Sequence, residues 1–372
     1  MTTRSWLIPV LFAAPLLRGA GFEPHTVATG LTDGYQVVVA DLNHDGKPDL
    51  IALASGMDEL VWFENPGWQR HVLVRGMHGM INCAALDLDG DGFPEIVLAS
   101  GFEGPGKPSP GVLTLLRHKG DPRDLWTAEE IGRLPVSHRL RWANPGGKGN
   151  PVLIDAPLTA GGAQPPRFPG QVPLTLYDPK SWKPSLITDA GRGLVHGLFI
   201  FDWDGDGRDE ILTAGFEGIH LLKQEETGRW SRTQLTGDNS SDVAVGHLGK
   251  LRYVCAIQPW HGNMVAVYLQ QQGEWRRHAI DDSLVDGHTI LTADFDGDGR
   301  DAIIAGFRGG KRSVYLYFAK DAEGREWTRR ALDDGGMSAA ACATADLDGD
   351  GRIDVTCIGS ATANLKWYRN IP

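Results

Sequence analysis

Asp202-Trp203-Asp204-Gly205-Asp206-Gly207 is one of five copies of a short acidic turn. The others are Asp41-Leu42-Asn43-His44-Asp45-Gly46, Asp87-Leu88-Asp89-Gly90-Asp91-Gly92, Asp294-Phe295-Asp296-Gly297-Asp298-Gly299 and Asp346-Leu347-Asp348-Gly349-Asp350-Gly351. Carboxylates at alternate positions of an extended turn converge on one point, and their repulsion is tolerable when a hard cation fills it. A further carboxylate follows the first by eight residues, as Asp49, Glu95, Glu210 and Asp354, while the fourth copy has Ala302 there and Asp301 one place earlier. An EF-hand would require a bidentate Glu at loop position twelve, where Ala52, Leu98 and Thr213 stand, and flanking helices in place of the apolar runs seen here. The pattern predicts strand-loop-strand turns holding up to five structural calcium ions.

Outward from each turn the order of segments is constant. An apolar strand such as Val37–Ala40 leads in and a second, such as Leu50–Ala54, leads out. Leu60–Glu64 and Gln69–Val74 then read as a third and a fourth. The first turn residue recurs as Asp41, Asp87, Asn144, Asp202, His247, Asp294 and Asp346, 45 to 58 residues apart, with the Asn144 and His247 turns stripped of their carboxylates. Seven antiparallel four-stranded units predict an all-β, seven-bladed propeller over residues 21–372. The last unit lacks a fourth strand, and Phe22–Val27 reads as a fourth strand with no blade ahead of it. The amino-terminal strand is therefore expected to complete the last blade and cover two sheet edges. The third unit carries a long Pro- and Gly-rich loop, Pro157–Pro173, expected to fold over a pocket.

The formal charge of −11 is concentrated in the turns, and no basic run points to nucleic acid. Residues 1–20, with Arg4 ahead of the apolar Trp6–Leu17 and small residues at Gly19 and Ala20, read as a signal peptide, with an uncleaved anchor as the alternative. The apolar stretch is short for a bilayer span, so no stable membrane insertion is expected. These features predict a secreted or periplasmic protein, monomeric or weakly oligomeric. Cys83, Cys255, Cys342 and Cys357 fall in strands without metal-ligand spacing and read as buried thiols.

In a propeller the first strand of each blade lines the axis, so the residues entering that strand lie on the face opposite the acidic turns. Six residues before the aligned turn residue stand His138, His196 and His288; His78 lies nine before, and His261 follows a second strand onto the same face. Imidazoles gathered from several blades suit zinc or another divalent transition ion. Asp58, Glu103, Glu217, Asp286, Arg139, Arg141 and Arg308 share that mouth. His25, His44, His71 and His278 belong to turns and outer strands. No Gly-x-Ser-x-Gly elbow, His-Glu-x-x-His pair, phosphate loop or dinucleotide fingerprint is present, so the usual hydrolase, phosphoryl-transfer and hydride-transfer chemistries gain no support.

The acidic turns and their apolar flanks resemble the FG-GAP or VCBS repeat family, which implies the propeller and calcium. Ser137-His138-Arg139-Leu140-Arg141-Trp142, Val195-His196-Gly197, Pro259-Trp260-His261-Gly262-Asn263, Asp282 to His288 and Ile358 to Tyr368 are similar to the propeller domain of aldos-2-ulose dehydratases. That family includes members with a cupin portion, which nothing in these residues matches. The resemblance implies a lyase removing water from a keto-sugar such as 1,5-anhydrofructose or a 2- or 3-keto-glycoside. In that reading His138, His196 and His288 hold the ion, His261 or Glu217 is the base, His78 the acid, and Arg139 and Arg141 orient the sugar. The rival is a non-catalytic, calcium-stiffened scaffold or glycan-binding propeller. Cleavage of a pectic-type chain is a third option, which the loop over the mouth disfavours.

Overall fold

In the computed structural model, which describes residues 21–372, strands form seven four-stranded antiparallel sheets and no helix is present among the described residues. The signal-peptide segment lies outside the described residues. Blade 1 comprises Gly34–Ala40, Asp49–Ala54, Glu59–Glu64 and Gln69–Arg75, and the next five repeat that order. Blade 7 takes Ala339–Ala345, Asp354–Gly359 and Asn364–Ile371 from the end of the chain, with Gly21–Thr29 as its outermost strand.

Seven apolar clusters bind the ring, each shared by two neighbouring blades. Blade 5 gives Tyr253, Ile257 and Val267 to one, against Ile303, Phe307 and Tyr317 of blade 6. Blade 7 gives Leu347, Ile358 and Leu365 to another, against Leu50, Ala52 and Phe63 of blade 1. Because a blade is covered on both faces, its second strand is buried along its whole length, as in Asp49–Ala54 and Glu210–Gly215. Such a strand reads as a continuous apolar run without alternation.

The turns close by local capping. Asp202 accepts backbone N–H bonds from Gly205, Asp206 and Gly207, and Glu210 accepts one from Trp203 at 2.7 Å. Carboxylates come within one ion's reach in three turns: Asp87, Asp89 and Glu95; Asp202, Asp204 and Asp206; Asp346, Asp348 and Asp354. In the first turn, Asp49 is fully buried and spends both oxygens on the backbone N–H groups of Leu42 and Asn65. The two turns without carboxylates are held differently. Asp209 of blade 4 accepts from the Asn144 backbone at 2.6 Å, and Asp301 of blade 6 accepts from the His247 backbone at 2.7 Å. A carboxylate from the following blade thus satisfies each of these turns, which gives Asp301 a structural role the acidic motif alone does not reveal.

The cysteine expectation needs correction. Cys342 and Cys357 form a disulfide, because the register sets them directly opposite on adjacent strands of blade 7 with Cα atoms 4.1 Å apart. Cys83 and Cys255 are free and buried, as expected.

Candidate active site

One irregularity recurs where the first strands begin. The pairing of first and second strands skips a residue between Gly34 and Gln36, Ser137 and Arg139, Val195 and Gly197, Gly287 and Thr289, and Ala339 and Ala341. The skipped residues are Tyr35, His138, His196, His288 and Ala340. A β-bulge frees one residue from the ladder and re-aims its side chain. Counting six back from the turn therefore lands on the bulge, which is why the three histidines share a register and why Tyr35 belongs with them.

The imidazoles form a ring, buried at His138, His196 and His288 and half-buried at His261. The His196 centroid lies 5.0 Å from those of His138, His261 and His288, and His261 lies 5.1 Å from His288. His196, His261 and His288 can bring one ring nitrogen each within 4.8 Å of the other two. Their outer nitrogens are anchored. His196 Nδ1 donates to the Ser241 carbonyl at 2.9 Å and His288 Nδ1 to the Ala340 carbonyl at 2.5 Å. His261 Nδ1 meets Arg308 Nη2 at 3.0 Å and Asp286 Oδ1 at 3.3 Å, while Arg308 clasps Asp286 with two bonds of 3.0 Å. This leaves Nε2 of each ring turned inward, with His261 and His196 Nε2 only 3.3 Å apart and His288 Nε2 buried without a partner. His196 and His288 thus carry inward lone pairs backed by carbonyl acceptors at Nδ1. His261 offers a third when its proton sits on Nδ1 facing Asp286 instead of on Nε2, the tautomer that Arg308 favours. Together they are a donor set a zinc-class ion takes. The residues fit such an ion.

His261 reaches the ring through a strained loop. Its φ of +51° is rare for a residue with a side chain, and the adjoining Gly262 is obligatory because a Cβ there would meet the Gln258 carbonyl at 2.3 Å. The long blade-3 loop packs down on this corner through aromatic contacts. Phe168 lies 6.1 Å from Phe216 and 6.2 Å from Trp260, and Trp260 lies 4.7 Å from His261.

His138 stands beside the trio with a different bond. Its Nε2 is 2.8 Å from the Tyr35 hydroxyl, and Arg139 Nη1 donates to that hydroxyl at 3.1 Å. Arg139 Nη2 also points at His196 Nε2, at 3.4 Å. Burial first, then the Arg139 guanidinium, holds His138 and His196 well below the usual imidazole range; burial and Arg308 do the same to His288. His261 is pushed down to about 4 by burial and Arg308 against the pull of Asp286. All four rings are therefore neutral at pH 7, the form in which imidazole binds metal or accepts a proton.

Other residues singled out from the sequence lie elsewhere. Glu217 accepts from Arg192 N at 2.9 Å and Arg232 Nη2 at 3.0 Å, beside His220 on the side of blade 4. His78 is exposed in a shallow depression with Asp58 and Glu59. Arg141 lines the axial cavity one alternate position below Arg139. That cavity measures about 340 Å³ and is bounded by Tyr35, Arg139 and His288, with Asn82, Trp142 and Asp242 further along the first strands. Tyr35 was the residue to add from sequence, and its register is the signal that finds it.

Residues 41–98 and 294–357 match the FG-GAP-like repeat family, and residues 110–271 match the β-propeller domain of aldos-2-ulose dehydratase. The chain is a seven-bladed propeller with FG-GAP-like repeats at residues 41–98 and 294–357, similar to the aldos-2-ulose dehydratase propeller. A curated relative, the aldos-2-ulose dehydratase of Phanerodontia chrysosporium, is 24% identical over 91% of this chain, which spans 43% of that protein's length. Among solved structures, one describing recognition of non-reducing terminal N-acetylglucosamine by an Agrocybe aegerita lectin superposes with a TM-score of 0.56 at 16% identity, covering 91% of this chain and 86% of that one. BBS1N in complex with ARL6DN superposes at 0.59 and 12% identity, covering 94% and 96%. At such identities these two structures speak for the fold alone.

Proposed function

We propose that this FG-GAP-type propeller is a carbon-oxygen lyase acting on a keto-sugar of the 1,5-anhydrofructose or keto-glycoside type. The observation that carries the reading is the convergence of three anchored, neutral imidazoles at the end of an axial cavity, in a chain similar to a sugar dehydratase's propeller. His196, His261 and His288 would hold a zinc-class ion, which when bound supplies Lewis acidity toward the ketone and so acidifies the adjacent carbon.

The remaining work falls to the chain's own groups. Arg139 Nη2, 3.4 Å from His196 Nε2, is placed to donate to a substrate oxygen as negative charge grows on it. Tyr35 faces the cavity with His138 behind its hydroxyl and Arg139 donating to it, so its proton can pass to His138 Nε2 and return. In the elimination, the C–H bond beside the ketone breaks to this pair and its electrons form the new C=C bond. The β C–O bond then breaks, and the departing hydroxide takes back the proton and leaves as water. His261 serves as the third ligand in this scheme, and His78 and Glu217 stand outside the cavity. The acidic turns serve as structural calcium sites, which suits an exported, monomeric protein.

The test is a zinc-loaded full-length protein offered 1,5-anhydrofructose or a keto-glycoside, with formation of the conjugated enone followed by absorbance. Turnover that disappears in a His196→Ala/His288→Ala variant, while sugar-independent stability persists, supports the reading. A folded, zinc-bearing protein that binds these sugars and returns them unchanged would sink it in favour of a glycan-binding propeller.

A further inference from the structure

The axial cavity carries two charged groups, Arg141 and Asp242, that the lyase scheme leaves unused. Of its ionisable lining groups other than Tyr35 and His288, two are guanidiniums, Arg139 and Arg141, and one is a carboxylate, Asp242. Among the described residues none of the three makes an ion pair. Arg141 spends Nη1 on Asn82 Oδ1 at 3.1 Å and the Leu140 carbonyl at 2.8 Å, and its Nε and Nη2 edge has no protein acceptor. Asp242 is capped by the backbone N–H groups of Val243 and Ile290, each at 3.1 Å. It also packs on Gly197, where any side chain would collide with it.

Burying an uncompensated guanidinium is costly unless something complements it. The cost registers in both partners: burial, then Arg139, draws Arg141 down to about 10, and burial lifts Asp242 to about 6 against the arginines. Two cations facing one carboxylate leave the chain's own lumen groups with positive charge in excess, to which an ion on the imidazoles would add, and this suits an anion. The free Nε/Nη2 edge of Arg141 is the fork that matches a carboxylate in two parallel bonds. Arg139 and Arg141 alternate along one strand and so face the axis together, about 7 Å apart. Long side chains at that spacing can address two ends of one monosaccharide, and a cavity of about 340 Å³ admits one.

We infer that Arg141 forms a carboxylate subsite, so that the sugar taken into the cavity is an acid, a keto-sugar of the uronate or aldonate class. The inference rests on the lyase reading for its keto group, and its test does not. Binding of D-glucuronate and of D-glucose to the full-length protein is measured by calorimetry at low and high salt. The expected result is a preference for the acid of about tenfold or more, worth about 1.4 kcal/mol, that shrinks with salt. Arg141→Gln removes the preference and Arg141→Lys keeps part of it. Equal affinity for acid and neutral sugar, or an undiminished preference in folded Arg141→Gln, overturns the subsite. Tighter binding of inorganic phosphate than of glucuronate overturns the carboxylate assignment. If the variants melt early, the salt-dependent preference of the wild-type protein decides alone. An acid preference without turnover of any keto-sugar would retire the lyase and keep the subsite; turnover of neutral keto-sugars without an acid preference would do the reverse.

Discussion

The two ends of the ring gather polar groups by opposite means. At the turn end, the carboxylates of a cluster come from one blade within nine residues, as Asp87, Asp89 and Glu95 do. At the imidazole end, His196, His261 and His288 come from three different blades, and their anchors Ser241, Asp286 and Ala340 extend the set to a fourth. A local cluster can form or fail blade by blade. The imidazole cluster exists only when blades 4 to 7 are packed side by side, so one end reports blade integrity and the other reports inter-blade geometry.

The sharpest way to break this contrast is to remove ligands at one end and watch the other. His288→Ala should lower turnover by about a thousandfold or more and abolish stoichiometric zinc. Calcium content, read by element-resolved mass spectrometry, should stay as it is; its loss would mean the ends are coupled. Next in size is Asp286→Asn, which leaves His261 in place and loosens its anchor. Zinc affinity should fall about 10- to 100-fold by competition with a chromophoric chelator, and an unchanged affinity would make the Arg308–Asp286 clasp a rim feature only.

Calcium removal should act on stability. A calcium-selective chelator is expected to cost about 2.7 kcal/mol for each site held at a hundredfold its dissociation constant. Asp301→Ala should cost about 1–3 kcal/mol by leaving the His247 turn unsatisfied, with the same loss whether or not calcium is present. A calcium-dependent loss would place Asp301 among the ion's ligands.

A smaller effect concerns Asp155, fully buried in blade 3 with one bond, from Ser137 Oγ at 2.8 Å, and its second oxygen unpartnered. Burial lifts its carboxyl to about 8 from the ordinary 3.8. The folded chain therefore keeps this proton between pH 4 and 8 while the unfolded chain has released it, and stability falls as pH rises through that window. Asp155→Asn should flatten the decline, gaining on the wild type by at most about 1.4 kcal/mol per pH unit in denaturant titrations. Parallel pH profiles would show that the carboxylate is already ionised.

The repeat made the architecture readable because each blade states the same local grammar of strand, turn and strand, even where Asn144 and His247 have replaced the acid. What holds those two turns in the absence of the acids was not readable. Asp209 and Asp301 look like turn residues of their own blades, and only the inter-blade geometry shows them serving the neighbours. The site was half readable. His138, His196 and His288 share a register, but register gives the azimuth of a side chain and not the atom it faces, so the exchange of His138 for His261 beside the other two had to come from the structure. Tyr35 occupies the same register, but register does not state chemistry, and a tyrosine does not by itself mark a ligand site. The Cys342–Cys357 disulfide depends on a strand pairing across a calcium-type turn, which spacing alone does not specify.

The skipped residue at the entry of the first strands has a consequence for how such a ring changes over time. Because that position owes nothing to the ladder, its occupant can be exchanged while the sheet behind it keeps its hydrogen bonds, and Tyr35, His138, His196, His288 and Ala340 already show three different occupants. The scaffold therefore behaves as a fixed frame with interchangeable sockets, and new lumen chemistry can be acquired one socket at a time without first weakening the fold.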